Sequence, residues 1–390
     1  MSNRLRLGFH YHIPASRQDR DIYVPGYLGR FLDGLATQCE KLTCFMHTPR
    51  KSELAQLDYR VESRNLEFIP IGPHSSVPSR VLRSGRITQP LRERLGNLDA
   101  LLLRGPSPLL PQMARAAGKT PLALLLVGDY LTGVDDLPQP KWRKELIRVW
   151  SAWNKRGQDV VASRALTFVN SRKLFRDYEP VAARLVETRT TTLTEADFYQ
   201  REDTCQSRPI RLLYTGRMDR AKGLLQLVQA VAMLKEDVVL DLVGWAQNGD
   251  TIVEEISRLS HDLEIADRVV YHGYCPVGPQ LFGFYKRADI YVLASMASEG
   301  FPRTIWEAMA HSLPVVATKV GSIPEFIAGA AELVNPRDVG ALAEGIMSLI
   351  KFPVLRQSII KKGIGLAKQV TLEALIPQMV EDIQSWIKYG

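Results

Sequence analysis

Residues 289–325 read DIYVLASMASEGFPRTIWEAMAHSLPVVATKVGSIPE, and the order of apolar and polar residues in them decides the fold. The run from Ile290 to Ala294 is short and continuously apolar, as a strand buried on both faces must be. A polar loop containing Gly300 follows, and Pro302 stands where a first helical turn would begin. RTIWEAMAHS has helical spacing, and PVVATKV is a second buried strand. Strand, helix and strand in this order require a parallel sheet.

The same rhythm extends outward. Upstream, PIRLLYTG precedes LLQLVQAVAMLK, VVLDLVGW precedes DTIVEEISRLSH, and RVVYHGY precedes GPQLFGFYKRA; downstream comes PEFIAG. This predicts a doubly wound, Rossmann-like domain over 206–370. The first half alternates less clearly, with strand-like RLRLGFH, LTCFMHT, LEFIPI, DALLLRG, PLALLLVG and ALTFVNS, and helical stretches such as YLGRFLDGLATQCE. A second Rossmann-like domain is therefore expected over 1–205, with the Thr-rich 187–209 as linker. The final helix, 371–390, is expected to pack back on the first domain. Two such domains facing one another would place a ligand cleft at the carboxyl ends of both sheets.

A chain of 390 residues suits two domains, and 45% hydrophobic with 24% charged residues is a globular composition. No apolar run reaches the ~18 residues of a membrane span, and the N-terminus reads as a strand rather than a signal peptide. Cys39, Cys44, Cys205 and Cys275 form neither a disulfide framework nor a zinc pattern, so a cytoplasmic location is expected. The net charge of +8 is one-sided: residues 1–205 carry 31 Lys and Arg against 22 Asp and Glu, while 206–390 carry 19 against 20. An anionic partner suits the first half, whether membrane phospholipid, a lipid phosphate or nucleic acid. Two stretches hold much of the excess. Residues 80–94 contain Arg80, Arg83, Arg86, Arg92 and Arg94. Residues 141–156, KWRKELIRVWSAWNKR, form an amphipathic helix with Trp142, Leu146, Val149, Trp150 and Trp153 on one side. That helix either lies on an anionic membrane, making the protein peripheral at the inner face, or buries its tryptophans in the domain.

The chemistry concentrates in the opening stretch. Backbone N–H groups near Arg303 and Thr304 would attract an anion to the helix N-terminus. Glu307 could accept hydrogen bonds from a ribose diol, and Glu299 from sugar hydroxyls. The plain alternative is a helix-capping acid beside a solvated one. Upstream, LLYTGRMDRAKGLLQLVQAVAML places two cations, Arg217 and Lys222, between a strand and a helix, where they suit a pyrophosphate.

SEGFPRTIWEAMA resembles the E-x7-E signature of retaining GT-B glycosyltransferases, and its surroundings resemble glycosyltransferase family 4. LLYTGRMDRAKG resembles that family's GR…KG element. The resemblance covers 206–360 and implies two facing Rossmann-like domains, the second binding a UDP- or GDP-sugar and the first an acceptor hydroxyl. It implies that Glu299 contacts the donor sugar and Glu307 the ribose. Arg217 and Lys222 would neutralise the departing diphosphate. Phe301, Pro302, Arg303 and Thr304 line the donor, and loops at Gly216, Gly244 and Gly273 hold the nucleotide. The sugar nucleotide is a substrate; no cofactor or metal is implied.

The acceptor half departs from that pattern. The family's Gly-Gly loop is replaced by VPGYLGRF, with Gly26 the closest counterpart. Gly128-Asp129-Tyr130 stands where many relatives have His, so Asp129 is a candidate to position the acceptor, or else initiates a turn. His10, His12 and Arg104 end strands and are expected to line the cleft. An H-x-H pair can bind metal, but no acidic third ligand accompanies it. No D-x-D follows a strand; Glu195-Ala196-Asp197 is nearest. Rival readings are a nucleotide-sugar 2-epimerase of the same fold, a non-catalytic nucleotide-sugar sensor, and a nucleic-acid-binding protein. The helical spacing of the tryptophans speaks against the last.

Overall fold

The computed structural model describes residues 5–129, 140–247, 249–296 and 301–390. The chain divides into two compact units, one running to Thr192 and including Leu372–Gly390, the other comprising Leu193–Thr371.

The first unit is built on a parallel seven-stranded sheet. Across it lie Leu66–Pro73, Cys39–Thr48, Leu5–Pro14, Ala100–Gly105, Leu122–Leu126, Leu166–Val169 and Arg184–Glu187. In chain order this is the doubly wound arrangement, reversing between Leu5–Pro14 and Ala100–Gly105. Ala100–Gly105 and Leu122–Leu126 are buried throughout, which is why ALLL and LALLL read as unbroken apolar runs. The helix Leu372–Tyr389 closes one face against the helix Gly26–Gln38. Leu372, Ile376, Met379, Val380 and Ile383 join the same core as Leu28, Leu32 and Leu35, each worth roughly 1.5–3 kcal/mol of burial. Gly34 permits the approach, since a Cβ there would stand 2.4 Å from Ile376 Cδ1.

The second unit holds a parallel six-stranded sheet ordered Val269–Tyr271, Val238–Ala246, Ile210–Met218, Ile290–Leu293, Val315–Thr318 and Glu332–Val334. Its order also reverses once, between Ile210–Met218 and Ile290–Leu293, where Leu212 registers with Ile290 and Leu213 with Tyr291. A ligand of such a sheet sits beyond the carboxyl ends of the two strands at the reversal.

Three local outcomes were not decided by the sequence. Arg184–Glu187 pairs as an edge strand although its sequence, RLVE, carries no apolar run. Residues 193–205 belong with the second unit, not the first: Cys205 N–H donates to Asp289 at 2.8 Å, and Arg356 pairs with Asp203 through two bonds of 2.5 and 2.7 Å. Specific polar partners, invisible in composition, fix that stretch. The tryptophan helix Lys141–Ala162 does not bury its stripe, because Trp142, Leu146, Val149 and Trp153 are 58–69% exposed. It turns Ser151, Asn154, Gln158, Val161 and Ala162 inward instead, with Gln158 donating to the Tyr178 hydroxyl at 2.6 Å.

Candidate functional site

Three glycines line up at the carboxyl edge of the second sheet. Gly216 and Gly244 are register partners on neighbouring strands, and Gly244 N–H donates to the Gly273 carbonyl at 2.8 Å. Gly244 has φ 156°, and a Cβ there would lie 1.7 Å from the Gly216 carbonyl oxygen. Only glycine fits between these two backbones. The Tyr271 hydroxyl donates to the Gly244 carbonyl at 3.1 Å, while Trp245 and Tyr274 stand partly exposed beside the loops.

The loop after Ile210–Met218 carries both candidate cations. Arg217 is about half exposed and its Nε donates to Asp219 at 2.6 Å. Lys222 ends a short 3-10 turn, and Gly223 then takes the left-handed conformation that opens the helix Leu224–Met233. A Cβ on Gly223 would stand 2.0 Å from the Ala294 carbonyl oxygen. Two residues on, Met296 N–H donates to the Ala221 carbonyl at 2.7 Å. Backbone contact thus ties the cation loop to the segment leaving Ile290–Leu293. Arg220, between them, is committed elsewhere, to Asp250, Thr251 and Glu255.

Glu307 lies in the helix Arg303–Ala310 and is only 3% exposed. A carboxylate so deep needs polar partners. Tyr285 supplies one, donating its hydroxyl proton to Oε2 at 2.8 Å. Having given that proton, Tyr285 accepts from Thr215 Oγ1 at 2.6 Å. Thr215 immediately precedes Gly216 and Arg217, so two hydrogen bonds join the buried acid to the cation loop. Burial, and then the nearby Glu307 charge, raise the Tyr285 pKa well above its usual value. Tyr291 donates to Thr304 Oγ1 at 2.7 Å, and Tyr285 stacks on Tyr291 and on His311. His311 Nδ1 in turn donates to the Glu307 carbonyl at 2.7 Å. Phe301 stacks on Trp306 at 4.2 Å, and Pro302 occupies the helix N-cap. Glu299 lies outside the described residues.

Sequence reading missed Thr215, Tyr285 and Tyr291, whose polar tips are hidden inside runs that look purely apolar. The one available signal was two tyrosines and a threonine in strands and helices otherwise made of Leu, Val, Ile and Phe.

In the first unit the candidates behave differently. His10 is fully buried, with Nδ1 at 2.8 Å from the Phe45 carbonyl, so it sits in the body of the sheet's edge rather than on an open surface. Burial pushes its pKa down to about 4 and that of His12 to about 3, Arg80 contributing to both. Arg104 is 7% exposed and lies over the rings of Tyr11 and Phe31, 4.9 and 5.6 Å from their centroids, not in solvent. The Gly26 N–H is taken by Asp58 at 2.8 Å. Asp129 pairs with Lys173 at 3.2 Å. Arg80, expected in a surface patch, is buried; Arg83, Arg86 and Arg92 are exposed. Among the described residues no group of three His, Cys, Asp or Glu is placed to hold a metal ion, and no helix is long and apolar enough to cross a membrane.

Two parallel α/β units, each with a single reversal in strand order, define the GT-B glycosyltransferase architecture. Residues 197–365 match the model of the family glycosyl transferases group 1. Over 113 residues it is 37% identical to D-inositol 3-phosphate glycosyltransferase of Xylanimonas cellulosilytica, covering 29% of this chain and 26% of that protein. It is 29% identical over 175 residues to O-antigen chain mannosyltransferase B of Escherichia coli, covering 43% and 44%. The chain thus spans less than half the length of these curated relatives. Similar solved structures include a glycosyltransferase of Rickettsia africae (TM-score 0.73, 18% identity, 100% of both chains). Another is Anabaena HepE in complex with UDP and glucose (TM-score 0.73, 19% identity, 98% of this chain and 100% of that one).

Proposed function

We infer that the chain is a retaining, metal-independent glycosyltransferase that moves a hexose-type sugar from a UDP- or GDP-sugar to an acceptor hydroxyl on a lipid-linked or cell-surface glycan precursor. The observation that carries this reading is the Met296–Ala221 hydrogen bond, which holds the Arg217–Lys222 loop against the segment leading to Glu307. In this reading the second unit takes the donor. Arg217, Lys222 and the helix N-terminus at Arg303 and Thr304 meet the diphosphate as it gains negative charge. Their fixed positive charge does the work that a divalent cation does elsewhere. Glu307 accepts from the ribose, Glu299 from the sugar, and Gly216, Gly244 and Gly273 let backbone approach the nucleotide. The leaving phosphate oxygen takes the acceptor's proton, with Asp129 positioning the hydroxyl. The UDP complex of HepE and the relatives' names support a nucleotide-sugar donor and a glycan acceptor.

A thermal-shift panel of UDP-, GDP- and ADP-sugars tests the reading. A ligand at ~100 times its Kd stabilises by about 2.7 kcal/mol. No shift with any of them would remove the basis for the assignment.

The exposed stripe Trp142, Leu146, Val149 and Trp153, flanked by Lys141, Arg143, Lys144 and Arg156, supports a second element: docking on an anionic lipid surface at the cytoplasmic face. Aromatic and aliphatic groups would enter the interface while the cations meet lipid phosphates.

A further inference from the structure

At the carboxyl ends of Leu5–Pro14, Cys39–Thr48 and Leu66–Pro73 the first unit gathers four imidazoles and a guanidinium that the reading above does not use. His10 Nδ1 lies 2.8 Å from the Phe45 carbonyl, His47 Nδ1 3.2 Å from the Gly72 carbonyl, and His74 Nδ1 2.7 Å from Glu53 Oε1. Carbonyl and carboxylate oxygens only accept, so in each neutral ring Nδ1 carries the proton and Nε2 is a bare lone pair. All three Nε2 atoms are buried without a hydrogen-bond partner among the described residues, as is His12 Nδ1. The His47 and His74 rings are 5.7 Å apart.

Arg80 adds the opposite capacity. It is 5% exposed, and its Nε and Nη1 are buried with no partner among the described residues. Its charge lies close enough to depress the pKa of His10, His12, His47 and His74 alike. Glu53 is the nearby carboxylate, but its oxygens are engaged by His74 and by the Arg50 N–H at 2.8 Å. A buried guanidinium left this way is unfavourable unless something else satisfies it. Imidazoles oriented through Nδ1–H commonly bind metal. Here the adjacent cation opposes that, and no metal-holding group is found among the described residues.

We propose that His10, His47, His74 and Arg80 form a subsite for a hydroxylated anion, a sugar acid or a sugar phosphate, on the acceptor. This rests on the reading of the first unit as the acceptor side. The guanidinium donates to the oxyanion, and the imidazole lone pairs accept from hydroxyls of the same molecule. A neutral sugar would leave the charge of Arg80 uncompensated, and an anion without hydroxyls would leave the lone pairs without donors. A molecule with both groups satisfies the whole set at once.

Calorimetric titration of the full chain with glucose, glucuronate, glucose 6-phosphate and inorganic phosphate tests this. The charged sugars should bind at least about ten-fold tighter than glucose and than inorganic phosphate; the stronger of the two names the anion. Arg80→Leu should abolish that preference while raising Tm, since it removes an unpaired buried charge. Arg80→Gln, which keeps donors and loses charge, should also lose the preference and serves if the leucine variant does not fold. Equal binding of glucose, equal binding of inorganic phosphate, or a preference that survives either substitution would overturn the proposal. A protein that responds to nucleotide sugars yet shows no such preference refutes this inference alone; one that ignores nucleotide sugars refutes the reading beneath it.

Discussion

The Tyr285 hydroxyl donates to the buried Glu307 carboxylate at 2.8 Å while accepting from Thr215, two residues before Arg217. Tyr285→Phe therefore leaves Glu307 buried with one partner fewer and frees its orientation. The expected result is nucleotide affinity weakened about ten-fold, with KM for donor rising more than kcat falls. Titration with the nucleotide that gives the largest thermal shift checks this, and unchanged affinity would detach Tyr285 from donor binding.

Lys222→Ala and Arg217→Ala should each lower turnover by about 10²–10³-fold, with little change in Tm, because Arg217 is half exposed and paired only locally. EDTA should leave the wild-type rate unchanged. A fully active Lys222→Ala enzyme, or one silenced by chelation and restored by Mg²⁺, would contradict cationic stabilisation of the leaving group.

Gly223→Ala meets the Ala294 carbonyl at 2.0 Å in a left-handed conformation, and Gly244→Ala meets Gly216 at 1.7 Å. Each should cost about 2 kcal/mol or more. Gly85→Ala, with open space around it, should be near neutral. Urea unfolding of the three variants distinguishes strain from a general intolerance of alanine.

His10, His12 and His47 have pKa values near 4, 3 and 3, against an ordinary value of 6.5. Burial is the main cause, with Arg80 adding to each. Neutral in the fold, they take up protons on unfolding below pH 6.5, so the unfolded chain binds more protons there. Stability should be complete above about pH 6.5 and fall steadily as the pH drops towards 4. Denaturation midpoints at pH 7.5, 6, 5 and 4 measure the slope. A flat profile would mean these rings are charged or solvated in the fold.

Trp142→Ser and Trp153→Ser should change stability by less than about 0.5 kcal/mol, since both side chains are more than half exposed. Sedimentation with phosphatidylglycerol vesicles should show the double variant released while the wild type is retained. Equal retention of both would remove the helix from any membrane role.

Much of the fold was legible because parallel strands buried on both faces must be unbroken apolar runs: LTCFMHT, DALLLRG, PLALLLVG and IYVL all became strands. Arg184–Glu187 was not, since an edge strand faces solvent on one side and carries no such run. In the site, Gly244 and Gly223 showed as glycines but not what they touch; that needed the neighbouring strand. Arg80 misled because charge counts treat every arginine as surface, whereas this one is enclosed beside four rings. The tryptophan stripe was visible as a pattern, but that the opposite side, with Ser151, Asn154 and Gln158, faces inward was not; Gln158 finds its partner, the Tyr178 hydroxyl, twenty residues on.

Leu372–Gly390 returns to complete the core of the first unit after the chain has traversed the whole of the second. During synthesis the earlier-made unit must therefore wait, its Gly26–Gln38 helix uncovered, until the last helix leaves the ribosome. A nascent chain halted before Leu372 would leave the Gly34 side of that helix, where Ile376 packs, uncovered and call on chaperones, while its second unit could already be folded.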